Sequence, residues 1–126
     1  MTKNENISIL YVDDEPINEF LFRSIFEHDY NIYTATSGKE GLEILNKNKI
    51  HIVISDFLMP EMNGIDFIKK AKSKFSNISY YILSACEKNK EISEAIETKL
   101  IEKYFAKPFK AKEIEEAIFS KINNFN

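Results

Sequence analysis

Short apolar runs alternate along the chain with amphipathic stretches, and polar or turn-forming residues separate them. The runs are rich in β-branched and aromatic residues, which is typical of strands that are buried on both faces of a sheet. They lie at residues 7–12, 30–35, 52–54, 78–83 and 101–106. Each run therefore predicts a strand, and each strand is followed by a stretch with helical spacing.

The stretches between the runs carry apolar residues three and four positions apart, as amphipathic helices do. Pro16 fits the first turn of the first helix, where a missing N–H costs no hydrogen bond. The apolar positions of this helix recur to about residue 27 and are Ile17, Phe20, Leu21 and Ile25. Ser37 and Glu40 form a capping box that opens a second helix, to about residue 48. We expect the other helices from residue 63 or 64, at 91–99 and at 112–122.

Strands that alternate with helices predict a parallel sheet with helices on both faces. Of the two common strand orders of such doubly wound folds, 2-1-3-4-5 fits five strands. We therefore predict an α/β fold, a five-stranded doubly wound parallel sheet in a three-layer sandwich. A length of 126 residues suits a single domain. We assign it to residues 1–126, with a core over about residues 8–122, and regard residues 123–126 as a candidate start of a linker.

Composition and charge exclude several classes of protein. A formal net charge of −3 gives no reason to expect nucleic-acid binding, which usually needs a basic face. Cys86 is the single cysteine, so the chain forms no internal disulfide and suits a reducing compartment. No apolar run approaches the about 20 residues that span a bilayer, and residues 1–6 lack the apolar core of a secretion signal. We expect a cytoplasmic protein with a natural N-terminus, whereas Asn126 is less typical of a natural end.

Polar side chains follow four of the predicted strands. In the order 2-1-3-4-5, the ends of strands one, three, four and five lie side by side, with neighbours about 4.8 Å apart. These ends carry Asp13 and Asp14, Asp56, Ser84 and Lys107. A single aspartate after a strand is often only a turn or cap residue. Acidic groups, a hydroxyl and a lysine at one sheet edge instead predict a site, because open α/β sheets bind ligands there.

The residue types at this edge indicate phosphoryl transfer. Three crowded carboxylates repel one another and favour a bound cation, and an all-oxygen cluster suits Mg²⁺. Lys107 and the metal would neutralise the phosphoryl oxygens while Asp56 attacks in line. The product would be an aspartyl phosphate.

Five short motifs carry a resemblance to a known family. They contain Asp13 and Asp14 at residues 12–15, Asp56 at 56–60, Gly64 at 62–64, Ser84 at 84–85 and Lys107 at 104–108. From about Ser8 to Ile122 the chain resembles a response-regulator receiver domain, the CheY-like phosphoacceptor of bacterial two-component signalling. Each motif is weak alone, but all five in this order are specific. The predicted strand order rests partly on this resemblance, because CheY-like proteins share the flavodoxin-like order 2-1-3-4-5.

The resemblance implies the roles of the site residues. Asp56 would accept a phosphoryl group from a phosphohistidine on a sensor histidine kinase or histidine phosphotransfer protein. Mg²⁺ (or Mn²⁺) would be the cofactor, with ligands from Asp14, Asp56, the backbone carbonyl of Leu58 and, through a water, Asp13. Such a domain is a signalling phosphoacceptor and not an enzyme, since it catalyses only its own phosphorylation and dephosphorylation.

The resemblance also implies a conformational switch. Ser84 and Lys107 would each bind a phosphoryl oxygen, and the bond between Lys107 and Pro108 is often cis in the family. Tyr104 matches the switch aromatic, which turns inward as Ser84 moves toward the phosphate. The surface of the fourth helix, fifth strand and fifth helix would then change its affinity for partners. A homodimer through that surface is one assembly that the resemblance allows.

Three features differ from the common pattern of the family. Leu58, two residues after Asp56, is aliphatic where polar residues are frequent, and Cys86, two residues after Ser84, is neutral. These positions tune phosphate loss in the family, so we hypothesise slow autodephosphorylation. Residues 97–103 lack the Gly-Ala step that many receivers have before the fifth strand, which leaves the length of the fourth helix open.

Several alternatives stay open at this point. The chain could be a receiver from a hybrid histidine kinase or multidomain regulator, or a receiver that works through unphosphorylated contacts. A Mg²⁺-dependent phosphatase with an aspartate nucleophile would need a second aspartate where Leu58 stands. A flavodoxin-like electron carrier would need a Ser/Thr/Gly-rich phosphate loop after the first strand, where Asp13 and Asp14 would repel a phosphate.

Overall fold

The computed structural model describes residues 6–122, in which five strands alternate with five helices. The strands are β1 (Ser8–Val12), β2 (Asn31–Ala35), β3 (Ile52–Ser55), β4 (Ser79–Ser84) and β5 (Lys103–Ala106). The helices are α1 (Pro16–Phe26), α2 (Gly38–Lys47), α3 (Gly64–Lys74), α4 (Lys90–Glu97) and α5 (Ala111–Ile122). The candidate linker at 123–126 lies outside the described residues. Among residues 6–122, no helix combines the length and the apolar character that crossing a membrane requires.

The five strands form one parallel sheet in the order β2-β1-β3-β4-β5, which confirms the predicted fold class and strand order. Val12 at the end of β1 pairs with Ala35 and Ser55, and Ser84 at the end of β4 pairs with Ala106. Since every strand runs in the same direction, the carboxyl ends meet at one edge of the sheet. This edge carries the candidate site residues.

Two hydrophobic layers cover the sheet, because successive side chains of a strand point to opposite faces. On one face Leu10 and Val53 belong to a core that α2, α3 and α4 complete. On the other face Ile9 and Ile54 pack in a core with residues of α1 and α5. The predicted three-layer arrangement is therefore present.

Side-chain caps set the starts of three helices. Ser37 Oγ accepts the N–H of Glu40 at 3.1 Å, and the Glu40 carboxylate accepts the N–H of Thr36. The predicted capping box thus closes one residue earlier than the usual pattern, which would engage the N–H of Ser37. Asn63 and Asn89 cap α3 and α4 in the same way, each accepting an N–H three residues on.

The predicted element ends were wrong by one or two residues at several places. The strands β1, β2 and β4 each begin one residue later than predicted, and β5 begins at Lys103 instead of residue 101. Ile101 is buried, but its N–H bonds to the carbonyl of Ala95 at 3.2 Å, so it closes the turn after α4 and does not join the ladder. The helix α4 ends at Glu97, two residues early, and Lys99 with φ of 63° turns the chain toward β5.

The apolar positions that predicted α1 do not enter the core. The helix buries Phe22 and Phe26 against the sheet. Its other apolar positions are between 45% and 68% exposed, and they are Ile17, Phe20, Leu21 and Ile25. Their spacing of three, four and eight residues places them on one side of the helix. The helix α1 therefore carries a second, exposed apolar face, which we call the α1 face.

Candidate functional site

A lysine joins two buried carboxylates at the carboxyl edge of the sheet. Asp13 follows β1 and is fully buried, and Asp56 follows β3 and is 7% exposed. Lys107 follows β5, and its Nζ donates to Asp13 Oδ2 at 2.7 Å and to Asp56 Oδ2 at 3.2 Å. The order of the strands places these three ends around the same point, so the ion pairs tie together segments far apart in the sequence.

The pKa of Lys107 reflects this environment. Burial alone lowers it, but the hydrogen bond to Asp13 and the charges of Asp56 and Asp13 outweigh burial, so the pKa of Lys107 is raised above its ordinary value. The lysine therefore stays charged at neutral pH. Its peptide bond to Pro108 is cis.

Three donors hold the carboxylate of Asp13. Besides Lys107, the hydroxyl of Tyr11 donates to Oδ2 at 2.7 Å, and the N–H of Glu15 donates to Oδ1 at 3.0 Å. Burial, followed by the hydrogen bond and charge of Asp13, raises the pKa of Tyr11, so its hydroxyl remains a donor. A buried carboxylate that accepts hydrogen bonds on both oxygens has a fixed orientation.

The backbone around Asp56 is closely packed. Its Oδ1 accepts the N–H of Phe57 at 2.7 Å, and the chain then folds back so that the N–H of Gly64 donates to the carbonyl of Phe57 at 2.8 Å. A Cβ at position 64 would lie only 2.1 Å from the carbonyl oxygen of Asp56. Glycine at 64 is thus a steric requirement of this loop.

Three carboxylates at this edge form a group with the dimensions of a cation site. One oxygen each of Asp13, Asp14 and Asp56 lies within 4.8 Å of the others. Three carboxylates outnumber the single ammonium of Lys107, so the group keeps a net negative charge. That charge favours binding of a divalent cation. The donors are all hard oxygens, which Mg²⁺ prefers. The residues present therefore fit the metal that the sequence led us to expect.

The two expected switch residues lie on either side of one loop. Ser84 ends β4, is buried, and its Oγ accepts the N–H of Cys86 at 3.2 Å. The hydroxyl of Tyr104 donates to the carbonyl of Cys86 and lies 3.4 Å from the carbonyl oxygen of Ser84. Burial, with smaller effects of Cys86 and Glu87, raises the pKa of Tyr104. The tyrosine thus holds the loop between β4 and α4 by its backbone.

The structure places Leu58 at the rim of the site. It lies two residues beyond Asp56, and it is 61% exposed. Cys86 is half-buried on the loop after β4. The side chain of Leu58 has no hydrogen-bonding group, so it cannot orient a water near Asp56 as a carboxylate or an amide could.

Sequence reasoning missed two features of this region. Tyr11 was predicted only as a strand residue, although its position two before Asp13 puts both side chains on the same face of β1. The second feature is a cavity of about 460 Å³ beside Lys107, between α1 and the start of α5. Its apolar walls include Leu21, Ile25, Pro108 and Phe109. The sequence shows the apolar residues of α1, but it does not show that they face the solvent.

Comparison with known proteins agrees with this geometry. The family model of the response regulator receiver domain matches residues 9–119 of this chain. The chain belongs to this family. It is 34% identical over 127 residues to histidine kinase P4 of Formosa agariphila, covering 98% of this chain and 9% of the kinase. It is 35% identical over 107 residues to response regulator SaeR of Staphylococcus aureus, covering 84% of this chain and 46% of SaeR.

A solved structure of the family is also similar to this receiver. Response regulator TrrA of Thermotoga maritima, determined in complex with Mg²⁺ and BeF, superposes with a TM-score of 0.76 at 28% identity. The match covers 90% of this chain and 97% of TrrA. In contrast, this chain spans less than half the length of SaeR and about a tenth of kinase P4.

Proposed function

We propose that this receiver accepts a phosphoryl group on Asp56 from a phosphohistidine of a sensor histidine kinase or histidine phosphotransfer protein. The observation that carries the proposal is Lys107, held between Asp13 and Asp56 at the carboxyl edge of the sheet. A charged lysine beside a carboxylate nucleophile stabilises the negative phosphoryl oxygens during transfer. We place the reaction in the bacterial cytoplasm, which suits the free thiol of Cys86.

The metal would be Mg²⁺ or Mn²⁺. Asp14, Asp56 and the backbone carbonyl of Leu58 would hold it directly, and Asp13 would hold it through a water. When bound, the ion would neutralise charge on the transferring phosphoryl oxygens.

Asp56 is the nucleophile of the proposed step. Its Oδ1 is engaged by the N–H of Phe57, which fixes the carboxylate, and its Oδ2 pairs with Lys107. A bond forms between a carboxylate oxygen of Asp56 and phosphorus while the bond from phosphorus to the donor imidazole nitrogen breaks. The electron pair of that bond stays on the imidazole. In this proposal the chain catalyses only its own phosphorylation and dephosphorylation.

Phosphorylation would redistribute the contacts of the site. It adds about −1.5 to −2 charges at one point, which draws Lys107 away from Asp13 and draws the Ser84 hydroxyl away from Cys86. Because Tyr104 binds the carbonyl of Cys86, movement of this loop releases the tyrosine. The surface of α4, β5 and α5 would change as a result, and it is the surface through which we propose partner binding or a homodimer.

The α1 face is the docking surface that we propose for the phosphohistidine donor. Exposed large apolar side chains that cluster on one surface mark interaction sites. Leu21 and Ile25 extend this face to the cavity beside Lys107. A donor helix packed there would bring its histidine to the same edge of the sheet as Asp56. The donor is the occupant that we propose, because this face continues into the cavity that Lys107 lines, and Lys107 pairs with the acceptor carboxylate of Asp56.

The test of the function compares the wild type with Asp56→Asn. Both proteins are incubated with acetyl phosphate and Mg²⁺, and intact mass is measured. We expect one added phosphoryl group on the wild type and none on Asp56→Asn, which has the same shape without the nucleophile. Phosphorylation of Asp56→Asn would overturn the assignment.

A second candidate concerns the whole protein. The match to kinase P4 covers only 9% of that kinase, so a receiver inside a hybrid histidine kinase or multidomain regulator would have the same sequence features. A phosphatase with an aspartate nucleophile has less support, since Leu58 offers no acid or base. Sequencing the gene beyond the codon for Asn126 separates a single-domain regulator from a longer protein.

A further inference from the structure

Two donors bind the same oxygen of Asp13. Tyr11 Oη and Lys107 Nζ each lie 2.7 Å from Asp13 Oδ2. Tyr11 and Asp13 are both buried, with exposures of 1% and 0%. Water therefore cannot replace the hydroxyl of Tyr11 without a change in packing.

The two donors differ in how they are held. The ring of Tyr11 stacks on the ring of Phe22 from α1, with centroids 4.4 Å apart and planes 2° apart. The position of the hydroxyl is thus set by the packing of α1 on the sheet. Lys107 is a long side chain on the segment after β5, and its ammonium is shared with Asp56.

We propose that Tyr11 is a positioning residue for Asp13, the carboxylate that would hold the metal through a water. Its hydroxyl keeps that carboxylate oriented when Lys107 turns to the phosphoryl group on Asp56. This role rests on the proposed function, because it requires that Lys107 leaves Asp13 during the switch.

The physical reason is the cost of an unpaired buried acceptor. When Lys107 leaves, Asp13 Oδ2 loses one of the two donors that the structure gives it. With phenylalanine at position 11, the oxygen would lose both, and the carboxylate would rotate or keep Lys107 from the phosphate. Partners that hydrogen-bond a ligating group fix its direction, and their loss typically weakens metal binding about 10- to 100-fold.

The test measures Mg²⁺ binding by titration calorimetry. We expect Tyr11→Phe to bind Mg²⁺ about 10-fold more weakly than the wild type. The matched control is Tyr80→Phe, which removes another buried hydroxyl, bonded to the carbonyl of Phe75 at 2.7 Å near the start of β4. This control should be less stable than the wild type, but its affinity for Mg²⁺ should stay within about twofold of the wild-type affinity.

A second measurement places both substitutions in a Lys107→Met background. Tyr11 is then the remaining side-chain donor to Asp13 Oδ2 in the structure. The effect of Tyr11→Phe on Mg²⁺ binding should therefore grow about threefold or more relative to the wild-type background. A merely structural role of the tyrosine would not depend on Lys107.

The outcomes separate this role from the proposed function. Equal or tighter Mg²⁺ binding by Tyr11→Phe, or equal weakening by Tyr80→Phe, overturns the role of Tyr11. If the wild type is still phosphorylated on Asp56 in those cases, the proposed function stands. A wild type that binds no Mg²⁺ overturns both the metal site and the role of Tyr11.

Discussion

The ammonium of Lys107 lies 2.7 Å from the buried Oδ2 of Asp13 and so joins the end of β5 to the end of β1. In the unphosphorylated receiver, the lysine is therefore already engaged. In the proposed function, a phosphoryl group on Asp56 would have to compete with Asp13 for it. This competition would couple the chemistry at Asp56 to the position of β5, where Tyr104 lies.

The ion pair predicts a pH dependence of stability. The folded pKa of Lys107 is raised above its ordinary value of 10.5, so its contribution is fully present below that pH and is lost as pH rises through the folded pKa. The difference in unfolding free energy between wild type and Lys107→Met should stay constant from about pH 7 to pH 10 and shrink above it. Urea unfolding at each pH measures it. Lys110→Met, at an exposed lysine, should show no such trend, and a difference that shrinks at neutral pH would contradict the prediction.

Glycine at position 64 should be essential for the loop after Asp56. In Gly64→Ala the new Cβ would meet the carbonyl oxygen of Asp56 at 2.1 Å, and a backbone atom cannot move aside cheaply. We expect a loss of about 3 kcal/mol in unfolding free energy and slower phosphorylation from acetyl phosphate.

Gly38→Ala is the matched control for this substitution. Its Cβ would meet the sulfur of Met62 at 2.7 Å, on a flexible side chain that can turn away. It would also meet the Cβ of Phe67 at 3.2 Å, a contact that a small shift relieves. The loss of stability should be below about 1 kcal/mol. Equal losses for Gly38→Ala and Gly64→Ala would show that the contact with Asp56 is not the cause.

The sequence predicted the strands and their polar ends, because both are local patterns. The strand order, and with it the meeting of Asp13, Asp56 and Lys107, was predicted partly from the resemblance to the family. The sequence did not predict which face of α1 packs on the sheet. Phe22 and the exposed Phe20 are equally apolar, and only packing on the sheet decides which of them is buried. The bond from Tyr11 to Asp13 was missed for a similar reason. A tyrosine in a strand looks like a core residue until its hydroxyl is seen to reach a carboxylate.

Leu58 should set the lifetime of the phosphorylated state. Its exposed aliphatic side chain cannot hydrogen-bond a water that attacks the phosphoryl group, whereas an amide can orient one. Leu58→Asn should therefore lose phosphate faster than the wild type, by on the order of tenfold. The decay of phosphoprotein after removal of acetyl phosphate measures this rate. Leu58→Met, which stays apolar, should match the wild type, and an unchanged rate in Leu58→Asn would refute this role of Leu58.

A charge on the α1 face should distinguish phosphorylation by a phosphohistidine donor from phosphorylation by acetyl phosphate. Phe20→Glu changes a side chain that is 66% exposed, so the fold should tolerate it, but a carboxylate there would disrupt apolar contact with a donor. Transfer from a phosphohistidine donor should fall about tenfold or more, while phosphorylation by acetyl phosphate, which needs no docking, should stay at the wild-type rate. The control is Phe119→Glu, an exposed phenylalanine on a different helix, α5, which should leave both routes intact. Equal donor transfer by Phe20→Glu and wild type would place the docking surface elsewhere, whereas loss of the acetyl phosphate reaction would show damage to the site itself.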